Sequence, residues 1–246
     1  MEIPECDEKV PFLTKEQMVE VDRAMIEDYG IELLQMMENA GRNLAHLARH
    51  RFLSGDPRGK QVVILAGTGG NGGGALVSAR RLYNFGANVS VHITKTIDKF
   101  SPAAAHQLDI LQRMHVPISI SLDSKPPMSI ELIIDGLIGY SLSGAPRGEA
   151  AALIQWANQA RASILALDAP SGVDATSGRV FDLAIEASAT LTLALPKEGL
   201  RAKGVSQNVG ELYLADISVP PSLYGGTGLG LSVGPLFYRS DIVRLW

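Results

Sequence analysis

From Gln61 to Ile217, short apolar runs alternate with segments whose apolar residues recur every three to four positions. The runs over 62–66, 88–94, 117–122, 131–135, 163–168, 189–195 and 211–217 predict strands. Between them, 75–85, 102–114 and 149–160 predict helices, with Ser101-Pro102 as a cap followed by proline at the first helical position and Gly86 as a stop. Several runs are unbroken Val, Ile and Leu, the pattern of strands covered on both faces. Such alternation implies one α/β domain over 1–246, with a mostly parallel sheet between helices.

Two helices precede the first strand. Thr14-Lys15-Glu16-Gln17 is a capping box, and Met18, Val21, Met25 and Ile26 follow at helical spacing. After Gly30, the positions Leu33, Met37, Ala40, Leu44, Leu47 and Ala48 form a second buried stripe. Met18, Val21, Met25, Leu33, Met36 and Met37 are more apolar positions than one stripe needs. Methionine-rich surfaces pack adaptably, so this pair of helices is the expected interface of a homodimer. Residues 1–10 are polar and expected to be a mobile end, 224–230 to be a loop, and 237–246 to close the fold.

Composition narrows the picture. The chain has 246 residues, enough for a full core, with 46% hydrophobic residues, 20% charged residues and a net charge of -4. No basic footprint for nucleic acid exists, and no apolar run is long enough to span a bilayer. The acidic residues 1–5 do not read as a signal peptide. Cys6 is the only cysteine, so no internal disulfide can form and a reducing cytoplasm is the expected location.

The most informative stretch runs from the strand 62–66 into Gly67-Thr68-Gly69-Gly70-Asn71-Gly72-Gly73-Gly74-Ala75. A strand, a turn without side-chain bulk and a helix start form an anion site, because the first N–H groups of a helix have no internal partner. On this reading glycine supplies positive φ and close approach, and the N–H groups of Gly72, Gly73 and Gly74 face a phosphate. The motif is neither G-x-G-x-x-G nor a Walker A, and a glycine turn without a ligand would look the same. Ligands of open parallel sheets bind at the carboxyl ends of the strands. Two aspartates stand there: Asp135 leads into Gly136-Leu137-Ile138-Gly139-Tyr140-Ser141-Leu142-Ser143-Gly144, and Asp168 leads into Ala169-Pro170-Ser171-Gly172-Val173-Asp174. Each could simply cap a turn, but two at strand ends before Gly/Ser loops point to a shared cleft. Asp174 reads as structural. Lys197 follows a strand and fits either the cleft or solvent. His46 and His50 have no carboxylate cluster for a metal, and Ser171 is not in a nucleophile elbow.

These segments, together with Met37-Glu38-Asn39-Ala40-Gly41, Leu76-Val77-Ser78-Ala79-Arg80-Arg81-Leu82, Thr190-Leu191-Thr192 and Leu195-Pro196-Lys197, resemble the NAD(P)H-hydrate epimerases, the YjeF N-terminal domain family. The resemblance covers nearly the whole chain. It implies a Rossmann-like three-layer α/β/α sandwich and a homodimer. The reaction it implies is interconversion of the R and S forms of hydrated NADH and NADPH, a metabolite repair. It further implies potassium held by Asn71, Asp135 and Ser171. Substrate contacts carry over onto Gly70, Asn71, Gly72, Gly73 and Gly74, onto Gly139, Tyr140, Ser141, Leu142, Ser143, Gly144 and Ala145, and onto Asp168. The epimeric carbon is a hemiaminal. Asp168 is the expected acid for loss of its hydroxyl and the stabiliser of the resulting iminium.

The family's glycine loop typically reads Gly-Asn-Asn-Gly-Gly-Asp-Gly. Here Gly70 stands for the first Asn, Gly74 for the Asp and Ala75 for the last Gly. Loss of that carboxylate implies weaker substrate binding. The alternative function is therefore a catalytically impaired relative that serves as a nucleotide-binding or protein-binding dimeric scaffold. An ordinary NAD-dependent oxidoreductase fits poorly, since His92-Ile93-Thr94-Lys95 stands where a ribose-binding acid would be.

Overall fold

The computed structural model describes residues 3–120, 129–226 and 228–246. The elements are α1 (Lys15–Glu27), α2 (Leu33–Leu47), β1 (Gln61–Ala66), α3 (Gly70–Asn84), β2 (Asn88–Ile93), α4 (Pro102–Arg113), β3 (Ile118–Ser119), β4 (Leu132–Gly136), α5 (Gly148–Gln159), β5 (Ser163–Leu167), β6 (Ala189–Leu193), α6 (Ser206–Val209), β7 (Glu211–Ala215), α7 (Pro221–Gly226) and β8 (Ile242–Arg244). The sheet order is β3-β2-β1-β4-β5-β6-β7-β8. All pairs are parallel except β7 with β8. This is the Rossmann-like strand order, and the chain reverses direction across the sheet between β1 and β4.

The apolar runs become buried strands, as the pattern predicts. Val62–Ala66 within β1, and all of β4, lie out of solvent. The core divides by sheet face. One face packs β1, β2 and β4 residues such as Ile64, Val91 and Ile134 against α3 and α4, through Leu76, Leu82 and Leu108. The other packs Leu65, Ile133 and Ala166 against Leu153, Ile154 and Trp156 of α5. The Thr14 capping box closes at both ends: Gln17 N–H donates to Thr14 Oγ1 at 3.3 Å, and Thr14 N–H donates to Gln17 Oε1 at 2.9 Å.

Several expectations need correction. The helix expected over 75–85 starts at Gly70. None of Gly67, Gly69, Gly70, Gly72, Gly73 or Gly74 has positive φ, so left-handed backbone is not why glycine is there. The reason is close approach. A Cβ on Gly72 would lie 1.9 Å from Gly67 O, one on Gly73 2.6 Å from Met37 Sδ, and one on Gly74 2.9 Å from Leu167 Cδ2. The same logic explains the Ala40-Gly41 step of α2: a Cβ on Gly41 would meet Val77 Cβ at 2.4 Å and Gly74 O at 2.5 Å. The small residues let α2 lie directly on α3.

The segment expected to be mobile over 1–10 is tied down from Pro4 to Cys6. Cys6 N–H donates to Arg244 O and Arg244 N–H to Pro4 O, each at 2.8 Å. Further on, Leu13 pairs with Lys197 in a parallel bridge. The expected loop 224–230 begins inside α7. The strand expected over 117–122 is observed as Ile118–Ser119, and residues 121–122 lie outside the described residues.

Two glycines of α3 should respond oppositely to alanine. Gly72→Ala drives a methyl into the Gly67 carbonyl and should cost about 3 kcal/mol, the upper range of overpacking. Gly70 meets nothing within 4 Å, so Gly70→Ala should stabilise the helix by up to about 1 kcal/mol. Thermal melts of the two variants should shift in opposite directions.

Candidate functional site

The candidate site lies where β1, β4, β5 and β6 end. At the switch point the loops after β1 and β4 touch: a Cβ on Gly67 would be 1.9 Å from Leu137 O. Gly139 then passes between two side chains, so that a Cβ there would lie 3.2 Å from both Asn71 Cγ and Asp168 Oδ2. Asn71 from α3, Asp168 after β5 and the loop after β4 thus converge. They wall a cleft of about 260 Å³ together with Gly70, Gly74, Tyr140 and Ser141. Met36, Met37, Ala40 and Leu167 supply its apolar side.

Asp168 has φ +66, a left-handed conformation that a non-glycine residue seldom adopts. The twist follows the last residue of β5 and turns the carboxyl toward β6. There Oδ1 accepts from the ammonium of Lys197, and Oδ2 accepts from Tyr140 N–H at 3.1 Å. Lys197 is wholly buried and also donates to Leu193 O at 2.8 Å. The pair is therefore hydrogen-bonded on both sides, as a buried ion pair must be. Sequence reasoning left Lys197 undecided between cleft and solvent; its position after Leu195-Pro196 at a strand end was the available signal.

Asp135 is also wholly buried. Its oxygens accept from Ser171 Oγ at 2.6 Å, Ser171 N–H at 2.8 Å and Leu137 N–H at 3.1 Å. Burial pushes its pKa up to about 6, against the pull of those bonds. Among the described residues no cation pairs with it. Ser171 Oγ in turn accepts from Ile138 N–H at 2.9 Å. Asn71 Oδ1 and Nδ2 are both buried without a hydrogen-bond partner. Such orphaned polar atoms are rare in folded proteins, and together with an uncompensated carboxylate they fit an oxygen-ligated cation.

The remaining expected contacts separate. Gly72 and Gly73 are buried under the first turn of α3 and do not line the cleft. The N–H of Gly73 is taken by Gly69 O at 3.0 Å, so the free donors of this turn belong to Gly70, Asn71 and Gly72 rather than to Gly72, Gly73 and Gly74. Leu142 turns inward, while Ser143, Gly144 and Ala145 are exposed beyond the cleft wall. Asp174 is structural as expected: its Oδ1 accepts from Thr176 N–H and Ser177 N–H. Asp22 went unnoticed in the sequence, where it reads as an ordinary polar position of α1. It lines the cleft and accepts a hydrogen bond from Tyr140 Oη.

The fold and the site define a class: an α/β protein of doubly wound order, with a helix N-terminus and a buried ion pair at its switch-point cleft. The model of the family described as YjeF-related protein N-terminus matches residues 33–199. The chain belongs to this family. It is 42% identical over 236 residues to the NAD(P)H-hydrate epimerase of Dehalogenimonas lykanthroporepellens, covering 95% of this chain and 92% of that one. It is 38% identical over 208 residues to the NAD(P)H-hydrate epimerase of Truepera radiovictrix, covering 84% and 90%. A bifunctional NAD(P)H-hydrate repair enzyme of Salinibacter ruber is 34% identical over 86% of this chain, which spans 41% of that longer protein. In fold, the crystal structure of the yeast protein ynu0 superposes with a TM-score of 0.78 at 25% identity, covering 96% of this chain and 100% of that one.

Removing the lysine isolates a buried carboxylate. Lys197→Met should destabilise the fold by about 3–5 kcal/mol, because Asp168 then lacks its cation. The exposed Lys95→Met should change stability by less than about 0.5 kcal/mol. Urea midpoints at neutral pH measure both.

Proposed function

We infer that the chain is an NAD(P)H-hydrate epimerase that interconverts the R and S forms of hydrated NADH and NADPH. The observation that carries this reading is Asp168, ion-paired to the buried Lys197 behind it, on the wall of a cleft that also holds Gly70, Asn71 and Gly74 of α3. The named relatives point to the same reaction. The hydrate is a hemiaminal: its hydroxyl leaves as water once protonated, and the ring nitrogen takes up the positive charge. The carboxylate of Asp168 lies against this cation and lowers its energy. Met36, Met37 and Leu167 exclude bulk water from the ring, so the released water returns from within the cleft. Free N–H groups of Gly70 and Asn71 receive a phosphate oxygen of the dinucleotide.

Potassium is the proposed cofactor, with Asn71, Asp135 and Ser171 as ligands. The orphaned Asn71 amide and the buried Asp135 charge support this assignment. When bound, the ion supplies the missing positive charge beside Asp135. Neither changed glycine blocks the cleft. Gly70 faces open space, and Gly74 contributes backbone to the wall without the carboxylate typical of the family.

A homodimer is proposed through α1 and the start of α2, on changed grounds. Met18, Val21, Met25, Met36 and Met37 are buried within the protomer and offer nothing to a partner. The exposed Val19, Ile26, Tyr29 and Leu33 take their place as the interface. Among the described residues no helix is long and apolar enough to cross a membrane, and the free thiol of Cys6 is in keeping with a reducing cytoplasm.

Purified protein mixed with R-form hydrate should speed R/S exchange above an enzyme-free blank. Asp168→Asn removes the charge that stabilises the cation and should lower that rate on the order of a hundredfold, and replacing potassium with tetramethylammonium should lower it in the wild type but not in Asn71→Ala. Chromatography of the two epimers is the readout. A wild-type rate equal to the blank would leave the scaffold reading in its place. Independently, sedimentation should give a species of twice 26.3 kDa that dissociates in a Val19→Glu, Ile26→Lys variant.

A further inference from the structure

The cleft contains a second carboxyl that the chemistry above leaves idle. Asp22 comes from α1, whereas Asp168 follows β5, and the two line the same cleft. Tyr140 joins the two: its N–H donates to Asp168 Oδ2 and its phenol donates to Asp22 Oδ2. Its ring also stands with its centre 6.0 Å from the Lys197 ammonium. The environments of the two carboxyls differ. Asp168 sits against a cation. Asp22 has no ion-pair partner among the described residues and is mostly surrounded by protein.

Among the described residues, the titratable groups that act on Asp22 are Tyr140 after β4, Asp168 after β5, Lys197 after β6 and Tyr224 of α7. Burial dominates and pushes the Asp22 pKa up; the bond from Tyr140 and the charge of Lys197 pull it down, and the charge of Asp168 adds to the rise. Burial also raises the Tyr140 phenol, with the neighbouring charge of Asp22 adding to the effect, so this phenol keeps its own proton. Two carboxyls in one cleft whose surroundings differ in this way divide acid–base work between them.

We propose that Asp22 is the proton-holding residue of the epimerase reaction, and that Tyr140 positions it. This rests on the epimerase reading given above. Neutral Asp22 gives its proton to the hydroxyl oxygen of the hydrate. The carbon–oxygen bond breaks with its electron pair on oxygen, the nitrogen lone pair closes the carbon–nitrogen double bond, and water is released. Tyr140 Oη donates to the Asp22 carboxylate that forms. Water then adds to the opposite face, the double-bond electrons return to nitrogen, and the proton shed by the new hydroxyl returns to Asp22. Protons and electrons balance over the cycle, and no co-reactant is consumed. Asp168 remains throughout as the counter-charge.

The test is exchange kinetics as a function of pH in potassium buffer for wild type, Asp22→Asn, Asp22→Glu and Tyr140→Phe, with thermal melts to show that each is folded. Asparagine keeps an acceptor for the Tyr140 phenol, so loop placement survives while the proton is lost. Asp22→Asn should lower kcat roughly a hundredfold with little change in KM. Wild-type kcat should fall as pH rises through the Asp22 titration, because the neutral acid is the active form, and Asp22→Asn should lack that fall. Tyr140→Phe removes a bond that lowers the Asp22 pKa, so the fall should move to higher pH. Asp22→Glu should keep it at reduced kcat, and carries the test with Tyr140→Phe if the asparagine variant does not fold. Wild-type kcat and pH profile in Asp22→Asn, or a loss confined to KM, would overturn the proposal while leaving the epimerase reading intact. No wild-type exchange at all would overturn both.

Discussion

A contact between two backbones sets the scale of everything in the cleft. Gly67 after β1 and Leu137 after β4 are so close that even a methyl on Gly67 would overlap the Leu137 carbonyl. At this point the chain reverses across the sheet, and connections on either side run to opposite faces. Elsewhere such divergence opens a wide crevice. Here glycine narrows it, and α3 begins at once, with Gly72 resting on the Gly67 carbonyl. The depth at which Asn71, Gly139 and Asp168 meet follows from that approach. So does the absence of side-chain bulk over the first turn of α3.

Three acids gathered at one end of a sheet would repel one another and lose hydration. The fold meets this in three ways. Asp168 has a lysine buried with it. Asp135 has three hydrogen-bond donors, with the proposed ion beside it. Asp22 has a phenol and a pKa raised by burial, which favours the neutral form. Replacing the pair by apolar residues would often be neutral or stabilising in a core, so its retention here speaks for chemistry rather than for stability.

Much of this was legible in the residues. Continuous apolar runs mark buried strands, and their ends mark the ligand side. Asp135 and Asp168 stand out on that ground alone, while Asn71 and Ser171 come only from the resemblance of their motifs to the family. The failures share a cause: they depend on which elements become neighbours. The four glycines at 70, 72, 73 and 74 look like a loop because each costs a helix about 1 kcal/mol against alanine. Contact with Gly67, Met37 and Leu167 makes a helix start there acceptable. Lys197 needs β6 to lie beside β5 before it can reach Asp168. Asp22 and Tyr140 are far apart in the chain, and no local pattern in α1 distinguishes a carboxyl in a cleft from one in water. Met18 and Met25 looked like surplus apolar surface because the segment that covers them lies near the other end of the sequence.

The bridge between Leu13 and Lys197 bears on the order of assembly. Leu13 N–H donates to Pro196 O at 2.8 Å, and Glu198 N–H donates to Leu13 O at 2.9 Å, so residues on either side of the lysine are held by a segment more than half the molecule away in sequence. The α1 helix that presents Asp22 starts two residues later. Contacts of such long range form late, after local helices and neighbouring strands, because their loop closure must come first. A nascent or partly folded chain can thus hold a nearly complete parallel sheet while its reaction centre is still in two pieces. Activity should be the last property to return on refolding.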